Sequence, residues 1–282
     1  MRKDVLTWGA TLLVLAPWVG CATSSKQGEP PSAPDAAAVG AQSIESLRAA
    51  VRENPDDAER HYALGNALFD LGHYQEALPC YENATRLAPG HASAHTNLGL
   101  TLRRLGRVDE AIAHYRAALN IEPEDATTLQ NLAIVLELKG DLAGLAQALR
   151  DLAALQPEDV QVLSHLATIL LRLERYDEAA ETFEQVIERD PGVSDDYYGL
   201  GLCHFQRENW DGALATWLTA LALDARSPSV NKGLAVIYWR RGDYDQAWNA
   251  VVQCQALGIP LDPAFIAGLQ EDSGRQGPKP PQ

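Results

Sequence analysis

Between Ala58 and Leu261 the apolar positions keep helical spacing. Leu64, Leu68 and Leu71 fall at i, i+4 and i+7, one face of an α-helix. The pattern then starts again. Leu64-Gly65 returns as Leu98-Gly99, Leu132-Ala133, Leu166-Ala167, Leu200-Gly201 and Leu234-Ala235, always 34 residues on. A second column holds Ala77, Ala111, Leu145, Ala179, Ala213 and Ala247, and a third Tyr81, Tyr115, Leu149, Phe183, Trp217 and Val251. A fourth holds Pro55, Pro89, Pro123, Pro157 and Pro191, each ending a second helical run whose ladder it cannot continue.

Gly72, Gly106, Gly140 and Gly242 fall where the two runs of a unit meet, the place for a left-handed cap. Glu174 and Glu208 replace Gly there, so those two turns are expected to close another way. Small Gly65 and Ala77 let paired helices approach closely. Tyr81 and its equivalents supply the bulk that fills the groove to the next unit.

A 34-residue period carrying these columns resembles the tetratricopeptide repeat (TPR), a helix-turn-helix unit that stacks on its neighbours. The resemblance implies an all-α fold, a right-handed α-solenoid of six repeats over 58–91, 92–125, 126–159, 160–193, 194–227 and 228–261. Residues 43–57 read as an N-terminal half-repeat that caps the first unit, since Leu47, Ala50 and Pro55 lie one period before Tyr81, Ala84 and Pro89. Asp262 as N-cap, Pro263 at the first helical position, and apolar Phe265, Ile266 and Leu269 predict a closing helix over 262–270. Residues 271–282, with three Pro and two Gly, read as a disordered tail.

Residues 1–20 carry the marks of a signal peptide. Arg2 and Lys3 precede an apolar stretch from Val5 to Val19, shorter than the ~20 apolar residues a membrane span needs. Trp18-Val19-Gly20-Cys21 resembles the cleavage box of bacterial lipoproteins. That resemblance implies acylation of Cys21, which becomes the mature N-terminus, and Ala22 behind it implies retention at the outer membrane, facing the periplasm. The alternative is an ordinary small-x-small site with release after Ala22 as a secreted periplasmic protein. Residues 21–42, rich in Ser, Ala, Pro and Gln, then form a disordered tether spanning ~25 Å.

The formal charge of −15 becomes −16 once Arg2, Lys3 and Asp4 leave with the signal, and no basic cluster with interleaved aromatics offsets it. Such a surface repels phosphate backbones, so nucleic acid is not a partner. Beyond Cys21, Cys80, Cys203 and Cys254 lie in different repeats, an odd remainder that forms no disulfide framework and reads as free thiols. No phosphate loop, zincin motif or nucleophile elbow is present. His91 and His95 stand at i, i+4, but a zinc site needs three or four protein ligands, so both read as structural or solvated. No cofactor or metal is expected.

Function should therefore lie on a surface. In TPR relatives the first helix of each unit lines a groove, and here that face carries Tyr62, Asn66, Asn97, Arg103 and Asn131, then an aromatic cluster of Tyr198, Phe205 and Trp239. An Asn amide offers a donor and an acceptor, matching the backbone of an extended peptide. Tyr and Trp are the common anchors of interface hot spots. Some relatives clamp a C-terminal carboxylate with two Asn and several basic residues. Asn66 and Asn97 match those amides, but Tyr62, Thr127 and Asn131 stand at the basic places. The expectation is a non-enzymatic interaction scaffold holding a protein or peptide client. Anchor, tether and repeats together resemble the pilotins of type IV pili, which implies a secretin as client and an envelope assembly role. The alternative is an adaptor docking peptidoglycan enzymes.

Overall fold

The computed structural model describes residues 44–278, all helix and short turns, with no strand among the described residues. The signal peptide, Cys21 and the tether lie outside them. Helix α1 (44–53) precedes six hairpins: α2 (Ala58–Asp70) with α3 (Tyr74–Leu87), α4 (Ala92–Arg104) with α5 (Val108–Ile121), α6 (Ala126–Lys139) with α7 (Leu142–Leu155), α8 (Val160–Arg172) with α9 (Tyr176–Arg189), α10 (Ser194–Gln206) with α11 (Trp210–Leu223), and α12 (Pro228–Arg241) with α13 (Tyr244–Ala256). Helix α14 (Pro263–Ser273) follows. None is long and apolar enough to cross a membrane.

The chain divides into two compact units, one ending at Leu155 and one beginning at Gln156. In the first, α3 packs on α4 and α5 on α6; in the second, α9 packs on α10 and α11 on α12. Each hairpin thus buries on its neighbour the apolar face it cannot bury alone.

Local chemistry sets the helix ends. The residues before the first helices again keep the 34-residue period. Asp57, His91, Asp125, Asp159 and Ser227 each accept a backbone N–H of the first turn through the side chain. Each Asp cap among them is worth about 1 kcal/mol. Only Val193 in that column has no side chain able to do so.

At the hairpin turns Gly72, Gly106, Gly140 and Gly242 adopt φ of 76–78°. Glu174 and Glu208 adopt the same left-handed conformation, both at φ 58°. The expectation that these turns close differently is therefore corrected. The bonds Arg175 N–H to Leu170 O and Asn209 N–H to His204 O, at 3.0 and 2.9 Å, match that of His73 N–H to Leu68 O at 2.9 Å. The pattern is kept, and a β-carbon is forced into a region that disfavours it by about 1–2 kcal/mol. Pro79 lies inside α3 and is exposed, so one carbonyl of the preceding turn loses its helical donor.

Helix α14 runs past residue 270 to Ser273 and ends at a left-handed Gly274. Its last turn is held by tertiary contacts: the Trp239 indole N–H donates to Asp272 Oδ2 at 2.9 Å and that of Trp248 to Ser273 Oγ at 3.2 Å. The first residues of the expected disordered tail are thereby helical.

Candidate functional site

The sequence-predicted polar face comes together in the N-terminal unit, on α2, α4 and α6. Its centre is the carbonyl of Asn66. The Tyr81 hydroxyl donates to Asn66 Oδ1 at 2.7 Å, and Asn97 Nδ2 donates to the same oxygen at 2.9 Å. Two donors use both lone pairs of that oxygen. Asn97 Nδ2 also reaches the Tyr62 hydroxyl at 3.2 Å. The Tyr62 ring leans on Tyr81, centroids 6.0 Å apart, and on His91 at 4.6 Å, while His91 Nε2 lies 3.4 Å from Glu59. Burial, its largest cause, raises the Tyr81 phenol well above its ordinary value.

Tyr62, Asn66, Asn97, Arg103 and Asn131 are all half-buried. Arg103 stands beside the fully buried Tyr115 hydroxyl, which burial pushes up to about 12 against the pull of that guanidinium. Asn131 turns back on its own helix, its Nδ2 donating to Thr127 O at 3.0 Å, and does not join the pair. Asn97 and Asn131 share one column of the repeat, whereas Asn66 lies one helical turn further along α2. The three are not an even ladder. They are a bonded pair and a separate amide. Tyr81 is the member that sequence reasoning missed; the signal was a Tyr hydroxyl in a column that reads Leu, Phe, Trp or Val from the third repeat on.

The aromatic cluster is corrected. In the C-terminal unit Tyr198 is only 5% exposed and stacks on Trp217, with centroids 5.8 Å apart. Phe205, half-buried, stacks on the same indole at 5.7 Å and meets Trp210 edge-on at 5.1 Å. Trp239 lies under the closing helix, edge-on to Phe265 at 5.4 Å, its indole N–H held by Asp272. A β-carbon on Gly268 of α14 would stand 2.8 Å from the Trp239 ring. These rings are core and cap contacts, not a free anchor surface. The physical reason is that the indoles of α11 pack against Tyr198 and Phe205, and α14 packs against Trp239.

His95 and His114 form a pair across one hairpin, Nδ1 to Nδ1 at 3.2 Å. His95 Nε2 meets Pro89 O at 3.2 Å. A carbonyl only accepts, so His95 carries its proton on Nε2 and accepts at Nδ1 from His114. Among the described residues no group of three or more His, Cys, Asp or Glu is placed to hold a metal ion. Cys80, Cys203 and Cys254 are buried free thiols. Burial pushes Cys80 up to about 11 and Cys203 to about 12, and raises Cys254 as well.

Stacked helical hairpins with a polar first-helix face define a helical-repeat interaction scaffold. The family model described as Tetratricopeptide repeat matches residues 62–126, 132–194, 165–230 and 198–253, more than half of the chain. The chain belongs to the tetratricopeptide repeat family. Proteins of that family generally act as protein–protein interaction scaffolds that bind peptide or protein partners in a groove.

Among solved structures, the chain is similar to YrrB, described as a TPR protein with an unusual peptide-binding site. That similarity has 24% identity and a TM-score of 0.55, covering 66% of this chain and 96% of that one. It is also similar to the C-terminal part of a TPR repeat-containing protein from Cytophaga hutchinsonii, at 18% identity and TM-score 0.58 over 82% and 95% of the two chains. A chain of the Naa15/Naa10 complex bound to HypK matches at 18% identity and TM-score 0.69, covering 84% of this chain and 36% of that longer one. At these identities the likeness is one of fold. No curated protein matches the chain in sequence.

Proposed function

We propose that this protein is an envelope-tethered scaffold that holds an extended segment of a client polypeptide on the α2–α4–α6 face. The observation carrying this is the Asn66–Asn97 pair. With Asn66 Oδ1 fully occupied, Asn66 Nδ2 and Asn97 Oδ1 take no partner among the described residues. One free donor and one free acceptor stand side by side, the complement of a peptide C=O and N–H. Tyr62 adjoins them as a half-exposed amphipathic ring, and Arg103 adds a half-exposed cation further along α4. The peptide-binding description of YrrB supports the same reading.

The lipoprotein-like sequence at Cys21 supports attachment to the outer membrane from the periplasmic side, with a secretin as the favoured client. A photo-crosslinking residue placed at Asn97 tests this in intact cells. The expected product is a discrete adduct containing a secretin, with acylated Cys21 found by mass spectrometry of the mature N-terminus and secretin multimers lost on gene deletion. Adducts with peptidoglycan enzymes and altered muropeptides would favour the adaptor reading instead. An absence of any adduct at Asn97 would remove this face as the binding surface.

A further inference from the structure

Beyond its first turn, helix α11 is apolar save for Thr216 and Thr219, whose hydroxyls turn back onto carbonyls of their own helix. From Gly212 to Leu223 it holds no charged residue. A helix of that kind is normally enclosed, yet α11 buries only Ala213, Trp217 and Ala220. Ala215, Leu218, Ala222 and Leu223 remain exposed, Leu218 at 43% and Leu223 at 44%. The repeat shows that this is specific to one end of the protein. The column holding Leu218 reads Glu82, Arg116, Arg150 and Glu184 in the preceding units, then Leu218 and Val252. Val252 on α13 is 43% exposed too. Charge was replaced by apolar surface at neighbouring second helices, which no contact within the fold requires.

Alongside lies the opposite chemistry. On α9 the exposed residues Glu181, Glu184 and Glu188 follow one another at i, i+3 and i+7, and none is in an ion pair among the described residues. Like charges at this spacing disfavour a helix by about 0.2–0.5 kcal/mol per pair, so the stripe does not serve the stability of α9. Between α9 and α11 runs a cleft of about 340 Å³, floored by Tyr197 and Leu200 of α10 and walled by Ile187 and Ala215, with Glu184 and Glu188 on its rim.

We propose that this outer face of the C-terminal unit docks an amphipathic helix of a partner protein, one whose apolar stripe lies on α11 and whose Lys or Arg residues edge the α9 glutamates. A helix in such a groove presents anchors at i, i+3, i+4 and i+7, which the line Ala215, Leu218, Ala222 complements. The site is independent of the Asn66–Asn97 face. It provides a second contact to the same assembly, or a contact to a different one.

The test uses two synthetic fluorescent peptides of about 18 residues, five helical turns, with identical Leu stripes. One carries Lys along the edge of the stripe and the other Glu. Fluorescence anisotropy with the purified full chain should show binding of the Lys-edged peptide only. Leu218→Glu should weaken it about tenfold or more, equivalent to 1.4 kcal/mol. The double change Glu184→Lys with Glu188→Lys should transfer preference to the Glu-edged peptide. All three positions are exposed, and an unchanged thermal midpoint would show the fold intact. Equal binding of the two peptides, or indifference to Leu218→Glu, would overturn the proposal. So would a concentration-dependent dimer abolished by Leu218→Glu, which assigns the face to a second copy of the chain.

Discussion

Gly201 on α10 faces the indole of Trp217 on α11 so closely that a β-carbon would stand 2.2 Å from Nε1 and 2.3 Å from Cδ1. The indole N–H donates to Tyr198 O at 3.1 Å, which pins the ring in place. Gly65 meets Tyr81 and Gly99 meets Tyr115 in the same way, at 2.7 and 2.8 Å. Where the column carries Ala instead, as at Ala133 and Ala235, the facing residue is Leu149 or Val251. At Ala167 the facing ring is Phe183, and there Gly199 of the following hairpin makes the room, with a β-carbon 2.3 Å from Cζ. Small and large are matched pair by pair. Trp217 also lies against Gly233 of the next hairpin, where a β-carbon would stand 3.1 Å from its ring, so it seals its own unit and the joint beyond it.

Gly201→Ala is expected to destabilise the protein by about 2–3 kcal/mol, because the buried Trp217 has no direction in which to yield without losing its bond to Tyr198. Urea unfolding measures it. A loss within experimental scatter would show that the indole moves freely.

Glu174→Gly and Glu208→Gly should each stabilise by about 1 kcal/mol, since both Glu residues sit at φ 58°. The turns belong to different hairpins, so the double variant should show the sum. Unchanged or lower thermal midpoints would mean that a side-chain interaction of these glutamates outweighs the backbone strain.

The His95–His114 pair predicts an acid-sensitive N-terminal unit. Burial, the largest cause, lowers both imidazoles below their ordinary value; His91 further opposes a charge on His95, and His95 opposes one on His114. The unfolded chain then binds protons more readily than the folded one. The pair's stabilising contribution is complete above the unfolded value near 6.5 and is lost as pH falls through the lowered folded values. His114→Asn keeps a donor near Nδ1 but cannot titrate. The drop in urea midpoint between pH 7.5 and 5.5 should shrink in this variant; an identical drop would place the sensitivity elsewhere.

The thiols predict chemical inertness. With Cys80 pushed up to about 11 and Cys203 to about 12, the native protein at pH 8 holds little thiolate, and alkylation should run about a hundredfold slower than in the unfolded chain. Mass spectrometry after timed iodoacetamide treatment, with and without denaturant, reads this out. Rapid native labelling of Cys203 would reveal local opening of α10.

Much of the architecture was legible because each repeat writes it in local terms. Leu and Ala columns at helical spacing mark the buried faces, Pro and Gly mark the ends, and 34 residues on the same marks return. Asn66 and Asn97 were legible as polar residues on a first-helix face, though their mutual bond was not, since it joins side chains 31 residues apart. Glu174 and Glu208 were misread because an unfavourable residue at a turn says nothing about whether packing on either side overrides it.

By itself the sequence determined the repeat, its period, the helices and the turn positions, all consequences of spacing along one chain. Only the tertiary structure decided which aromatics face outward. Tyr198 occupies a position that is partly open in most other repeats, but Trp217 packs against it and closes it; Trp239 stays half-buried, with its indole N–H and one ring edge taken by α14. Exposure depends on the bulk a neighbouring helix brings to a shared surface, and that bulk is supplied by residues a full helix away.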